Sequence, residues 1–157
     1  MSVAFRRDSD EEHLEPRFEL PIPPGPNYVT ATGAALIEGR VEELEAALAT
    51  AIESGENEEA VKSIRRDLRY WRQRQSSAIP APNAEAGVVG IGSVVTFTRC
   101  GKRMVMTITG HDEAKPATGK IAFVSPLARA LLGLVAGDLA DFAGEADAVE
   151  VESVTPY

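Results

Sequence analysis

Cysteine, histidine and aromatic residues are all scarce in this chain, and each scarcity removes a class of function. A single cysteine, Cys100, rules out an internal disulfide and a thiolate metal cluster. The two histidines, His13 and His111, stand far apart with no ligand-like spacing around them, which argues against zinc. Aromatics make up 6% of the residues and supply little material for a ring-lined pocket. There is no apolar stretch of the ~18 residues that would span a bilayer. The opening "MSVAFRRDSDEEHLEP" turns acidic where a secretion signal needs an apolar run. A basic surplus is missing too, since the formal net charge of −8 argues against a surface that coats nucleic acid as a whole. Local basic stripes remain open. These absences lead us to expect a cytoplasmic protein in a reducing compartment, with no membrane segment and no resident metal or cofactor.

What is present divides the 157 residues into segments. Residues 1–27 mix charges and then prolines, ending "PRFELPIPPGPN", a composition that orders poorly and reads as a disordered leader. From Tyr28 the pattern becomes helical. Thr30 and Thr32 offer caps, and Ile37, Val41, Leu44, Leu48 and Ala51 follow at alternating steps of four and three. Gly55 and Asn57 in "ESGENEE" interrupt the pattern as a turn does, and Val61, Ile64, Leu68 and Trp71 resume it. Two heptad helices joined by a short polar turn predict an antiparallel coiled-coil hairpin over residues 28–78, with Trp71 buried near Ile37 or Val41. A linker over 79–87 carries "IPAPN".

The hairpin's charges separate by arm. Glu38, Glu42, Glu43 and Glu45 lie on the first; Lys62, Arg65, Arg66, Arg69, Arg72 and Arg74 lie on the second. Cross-arm pairing accounts for some of these. The basics outnumber the nearby acids and spread over more than one face, which leaves others for phosphates. Glu53, Glu56, Glu58 and Glu59 crowd the turn.

Residues 88–157 change character again. "SVVTFTR", "RMVMTITG", "KIAFVS", "DLADFAG" and "AVEVESV" are short β-branched or alternating runs bounded by glycine. Between the third and fourth lies "SPLARALLGL", in which Ser125 can cap and Pro126 suits a first helical turn. At about 100° per residue Leu127, Ala130, Leu131 and Leu134 share one face, and Arg129 points away from it, into water or against a partner. One helix within a run of strands predicts an α+β domain whose antiparallel sheet wraps the helix.

The order of these motifs carries a family resemblance. "GHDEA" at 110–114 followed by "GKIAFVSPLARALLGLVAGD" at 119–138 closely resembles the C-terminal domain of the bacterial Gre transcript-cleavage factors. "NYVTATGAALI" and "SIRRDLRYWRQR" are similar to that family's hairpin helices. The resemblance implies an FKBP-like C-terminal fold that docks on core RNA polymerase at the rim of its secondary channel, with Ser125, Pro126 and Arg129 at or near the docking surface. It also implies a monomer, with RNA or DNA contacted only indirectly inside the elongation complex. Gre factors present an Asp-x-x-Glu tip that helps hold a second magnesium ion in the polymerase active site. Here Glu53 and Glu56 have that spacing, but the first position is Glu rather than Asp, and each arm is shorter by roughly two heptads, which withdraws the tip by about 20 Å.

The expected function is therefore a polymerase-binding regulator of elongation that is not itself an enzyme, on the plan of the Gre-related nucleoside diphosphate kinase regulator. An active cleavage factor using Glu53 and Glu56 with magnesium is the alternative. A prolyl isomerase, suggested by the FKBP-like fold alone, finds no aromatic-lined pocket in this composition.

Overall fold

The computed structural model describes residues 19–157. Of the predicted disordered leader, residues 1–18 lie outside the described residues, as does His13. The remainder departs from the sequence boundaries at its end. Strand β1 (Asn27–Val29) starts inside the predicted leader and pairs in parallel with β2 (Ala78–Pro80), which takes the first residues of the predicted linker. The pair fastens the two ends of the helical segment side by side. Proline composition hides this short strand, because Asn27 is buried through tertiary contacts that no local pattern announces.

Between these strands run α1 (Ala31–Glu53) and α2 (Glu58–Ser77). Thr30 is the α1 cap, its hydroxyl accepting from the Gly33 amide at 3.0 Å. Asn57 caps α2, its carbonyl accepting from the Ala60 amide at 2.9 Å. Gly55, at φ +66°, takes the left-handed conformation that the turn between them requires. Arg72 reaches Glu45 at 2.8 Å, and the Arg40 guanidinium lies 6.0 Å from the Trp71 ring centroid, so late α2 runs beside early and middle α1. Ile37, Val41, Ala51 and Leu68 are buried along this helical hairpin.

Trp71 is a correction. It is half-buried rather than a full core residue, edge-on to Tyr70 at 5.2 Å and covered on one side by the exposed Arg40. Two thin helices cannot enclose an indole. Because about half its area is packed, Trp71→Ala is expected to cost about 2 kcal/mol rather than the full price of a core cavity. Urea unfolding followed by circular dichroism measures that cost, and the emission of this single tryptophan should lie between buried and aqueous values.

The C-terminal half is a five-stranded sheet in the order β5-β4-β3-β7-β6, made of β3 (Ser93–Arg99), β4 (Lys102–Thr109), β5 (Lys120–Ala122), β6 (Leu139–Phe142) and β7 (Glu145–Pro156). Along β3 the alternation is visible directly: Ser93, Val95 and Phe97 are buried while Val94, Thr96 and Thr98 are partly exposed. The sheet is mixed, not antiparallel as expected, because β5 pairs with β4 in parallel. The connection over residues 110–119, with a 3-10 turn at Pro116–Thr118, is long enough to carry the chain back so that Lys120–Ala122 lies parallel to the last three residues of β4, Thr107 to Thr109. Helix α3 (Pro126–Leu131) packs onto this sheet, and Ala128 and Leu131 join Val95, Phe97, Ile108, Val149 and Val151 in one core. Ala128, not Leu127 or Ala130, is the deeper partner of Leu131.

Candidate functional site

Three groups of residues stand out, in order along the molecule: the hairpin tip, the joint at its base, and α3. At the tip Glu53, Glu56, Glu58 and Glu59 are all exposed. Glu58 pairs with Lys62 at 2.5 Å one turn along α2. Glu58 and Glu59 also stand in the first turn of α2, where negative charge meets the helix dipole favourably. Part of the acidic crowding is thus explained by helix stability. Among the described residues no group of three His, Cys, Asp or Glu is placed to hold a metal ion.

The basic arm is partly neutralised. Arg72 pairs with Glu45 across the hairpin, Arg66 with Asp67 at 2.9 Å, and Arg69 with Glu19 at 2.5 Å. Among the described residues Arg65 makes no ion pair and is exposed. Lys62, Arg65, Arg66 and Arg69 line one groove of about 530 Å³ along α2. Arg72 faces α1 instead.

The sequence groups Arg74 with the other cations of the second arm and gives it no partner. It is buried, 2% exposed, and is the centre of the joint. Its Nε donates to Asp112 Oδ2 at 2.6 Å and its Nη2 to Asn27 Oδ1 at 2.6 Å. Asn27 returns a hydrogen bond to the Arg74 carbonyl at 2.8 Å, and Tyr70 donates to the other Asp112 oxygen at 2.5 Å. Burial, and then this hydrogen bond to Asp112, push the Tyr70 hydroxyl above the ordinary tyrosine range. Beside this cluster, the Thr30 hydroxyl donates to Glu113 Oε2 at 2.5 Å, and Lys120 lies 3.5 Å from Glu113 Oε1. The cap of α1 is therefore also its tether to the sheet.

Two glycines permit this closeness. A Cβ on Gly110 would fall 2.4 Å from the Tyr28 carbonyl oxygen, and one on Gly33 would fall 2.9 Å from Glu113 Oε2. Tyr28 adds an edge-on contact to Phe123 at 5.6 Å. Adjacent carboxylates in "GHDEA" thus hold both helices of the hairpin at a fixed position against the sheet. The spacing on α2 contains a signal for Arg74: it lies three residues beyond Trp71, continuing the inward-facing stripe of Ile64, Leu68 and Trp71, of which Leu68 is buried and the other two half-buried.

At α3 the Ser125 hydroxyl accepts from the Ala128 amide at 3.3 Å, Pro126 occupies the first helical position, and Pro126 and Arg129 are exposed. Ser125 is half-buried and its role here is capping. The helix rests on fully buried Ala128 and Leu131, so it presents proline and arginine outward from a rigid base.

Residues 83–156 match the family described as "Transcription elongation factor, GreA/GreB, C-term". Over 130 residues the chain is 34% identical to the transcription elongation factor GreA of Chloroflexus aggregans, covering 69% of this chain and 82% of that one. The chain belongs to the GreA/GreB family of transcription elongation factors. The GreA of Bacillus licheniformis is 40% identical over 67 residues, covering 41% of this chain and 42% of its own. Among solved structures, GreA factor homolog 1 of Thermus thermophilus aligns with a TM-score of 0.39 at 20% identity, over 83% of this chain and 99% of that one. The family match contains α3 and both joint carboxylates, Asp112 and Glu113, while Arg74 and the tip lie before it. No helix among the described residues is long and apolar enough to cross a membrane.

Proposed function

We propose that this GreA/GreB family member binds RNA polymerase at the rim of the secondary channel, directs its hairpin inward, and regulates elongation without promoting transcript cleavage. On this reading the FKBP-like C-terminal half is the anchor, with Pro126 and Arg129 on the docking face, and the coiled-coil hairpin is the probe. The protein works as a monomer in the cytoplasm and meets RNA or DNA only within the elongation complex. Family membership supports polymerase as the partner, and the exposed Pro126 and Arg129 on a buried base support the docking face.

The observation that carries the absence of cleavage is the length of the arm. Helix α1 has 23 residues, which is about 34 Å at ~1.5 Å per residue. The Chloroflexus aggregans match spans 130 residues but uses only 69% of these 157, so roughly a sixth of the aligned positions have no counterpart here. That shortfall is of the size two shortened arms produce. A tip withdrawn by about 20 Å lies several side-chain lengths from where a full-length arm would place it.

The alternative, cleavage assisted by Glu53 and Glu56, is favoured by their exposure at the tip with the required three-residue spacing. A backtracked elongation complex with magnesium separates the two. Wild type is expected to leave backtracked RNA uncut, to behave like Glu53→Gln/Glu56→Gln, and to compete with a full-length Gre factor for binding. Stimulated cleavage that disappears in the double variant would establish the alternative.

A further inference from the structure

Among the described residues, Arg99 and Lys102 make no ion pair. They flank the two-residue turn Cys100–Gly101, whose φ values of +51° and +70° close the β3–β4 hairpin tightly and set the two basic residues directly opposite each other. Like charges in that position repel. On its other side Arg99 is in register with Val149, which is fully buried, so neither neighbouring strand offers it an anion there.

Strand alternation explains why β7 supplies no carboxylate. Val95, Phe97 and Arg99 share the face of the sheet that carries the core and α3, whereas Glu150 and Glu152 alternate with the core residues Val149 and Val151 and leave from the opposite face. There Arg103 and Thr98 take Glu152. Arg99 instead reaches across β7 to Phe142 on β6, with its guanidinium carbon 4.5 Å from the ring centroid. Its Nε is shielded from solvent and has no hydrogen-bond acceptor, the one side-chain atom so placed among the described residues. A buried donor left in that state is costly. Glu145 stands opposite Phe142 in the β6–β7 register but does not pair with Arg99.

Phe142 belongs to the strand against which α3 packs, and it rests on the same core as Ala128 and Leu131. The unpaired cations therefore continue the side of the domain that presents Pro126 and Arg129. We infer that Arg99, held over Phe142 and assisted by Lys102, is a second docking point for RNA polymerase and receives a carboxylate side chain of the polymerase surface. The inference deepens the docking reading of α3 and rests on it. A planar guanidinium offers the parallel N–H groups that a carboxylate accepts, and its stacking on a ring removes in advance the rotamer freedom that a free arginine loses on binding. A nucleic-acid backbone fits less well. Asp141, Glu145 and Asp147 are exposed around the β6–β7 turn beside Phe142, where they repel a run of phosphates.

Binding of the full chain to surface-immobilised core polymerase is compared for wild type, Arg99→Met, Arg99→Lys, Lys102→Met, Glu145→Gln and Arg129→Ala, each checked by a circular dichroism melting curve. Methionine keeps an unbranched apolar chain over Phe142, so Arg99→Met should fold, bind about tenfold more weakly, and lose affinity less steeply than wild type as salt rises. Arg99→Lys keeps the charge without the fork and should fall between the two. Lys102 is exposed, so Lys102→Met should fold in any case, with binding about threefold weaker. Glu145→Gln should not weaken binding. A loss there matching that of Arg99→Met would make Glu145 the internal partner of Arg99 and overturn the inference. Wild-type affinity in folded Arg99→Met overturns it too, and a loss in Arg129→Ala at the same time leaves docking through α3 standing. Should Arg99→Met not fold, wild-type affinity in both Arg99→Lys and Lys102→Met is the overturning result. A wild type that does not bind polymerase overturns the docking reading and this inference together.

Discussion

Arg74→Leu is expected to destabilise the protein by about 3–5 kcal/mol, as much as truncating a large core side chain, because it leaves a buried carboxylate without its cation. The Arg74 and Asp112 side chains are 3% and 5% exposed, so water cannot take over the lost hydrogen bonds. Asn27 loses its Arg74 donor at the same time. For a domain of this size the melting temperature should fall by on the order of 10 °C. The companion Arg74→Leu/Asp112→Leu is expected to recover part of the loss, because removing both charges removes the uncompensated one. A cycle in which the double variant is as unstable as the sum of the singles would show the two residues to be energetically independent, against the geometry. Under the proposed function the same variant has a second consequence. The α3 surface is built from Ala128 and Leu131 and lies outside the joint, so polymerase is still bound while the hairpin loses its fixed direction.

What the sequence could and could not announce follows from the range of the interactions involved. Thr30 and Ser125 were legible as caps because a cap is decided within three residues: side chain, turn and amide are all local, and the turn residue Asn57 caps α2 by the same local rule. The alternation of β3 and the placement of α3 between strands were legible for the same reason, since each pattern is contained in one element. Arg74 was read with Lys62, Arg65, Arg66, Arg69 and Arg72 because charge on a helix looks alike until its partner is known. That partner, Asp112, lies 38 residues away in another element. The parallel β4–β5 pair and the β1–β2 clasp were hidden likewise, since strand direction is a property of connections rather than of the strands. Trp71 shows the converse error: heptad spacing marks which face turns inward, but not whether enough protein stands there to bury a large ring.

The remaining large effect concerns docking. Pro126→Ala/Arg129→Glu is expected to weaken binding to core polymerase by ~30-fold or more, the scale at which a central arginine dominates an interface. The fold should survive. Arg129 is exposed, and Pro126 is exposed at a first-turn position where alanine is accepted without loss of a hydrogen bond. Ser125 is deliberately left unchanged, because its hydroxyl caps the helix and its removal would cost about 1 kcal/mol of stability that a binding assay cannot separate from lost contact. Ala128 and Leu131 are equally unsuitable, being fully buried in the sheet core. Surface-immobilised polymerase titrated with wild type and variant measures the ratio, with circular dichroism melting curves as the check on folding. Reversing the arginine's charge also makes the sign informative: a partner surface of negative charge repels the glutamate, so the loss should exceed that of Arg129→Ala and shrink as salt rises. Affinity that is unchanged in a folded double variant would move the docking face away from α3.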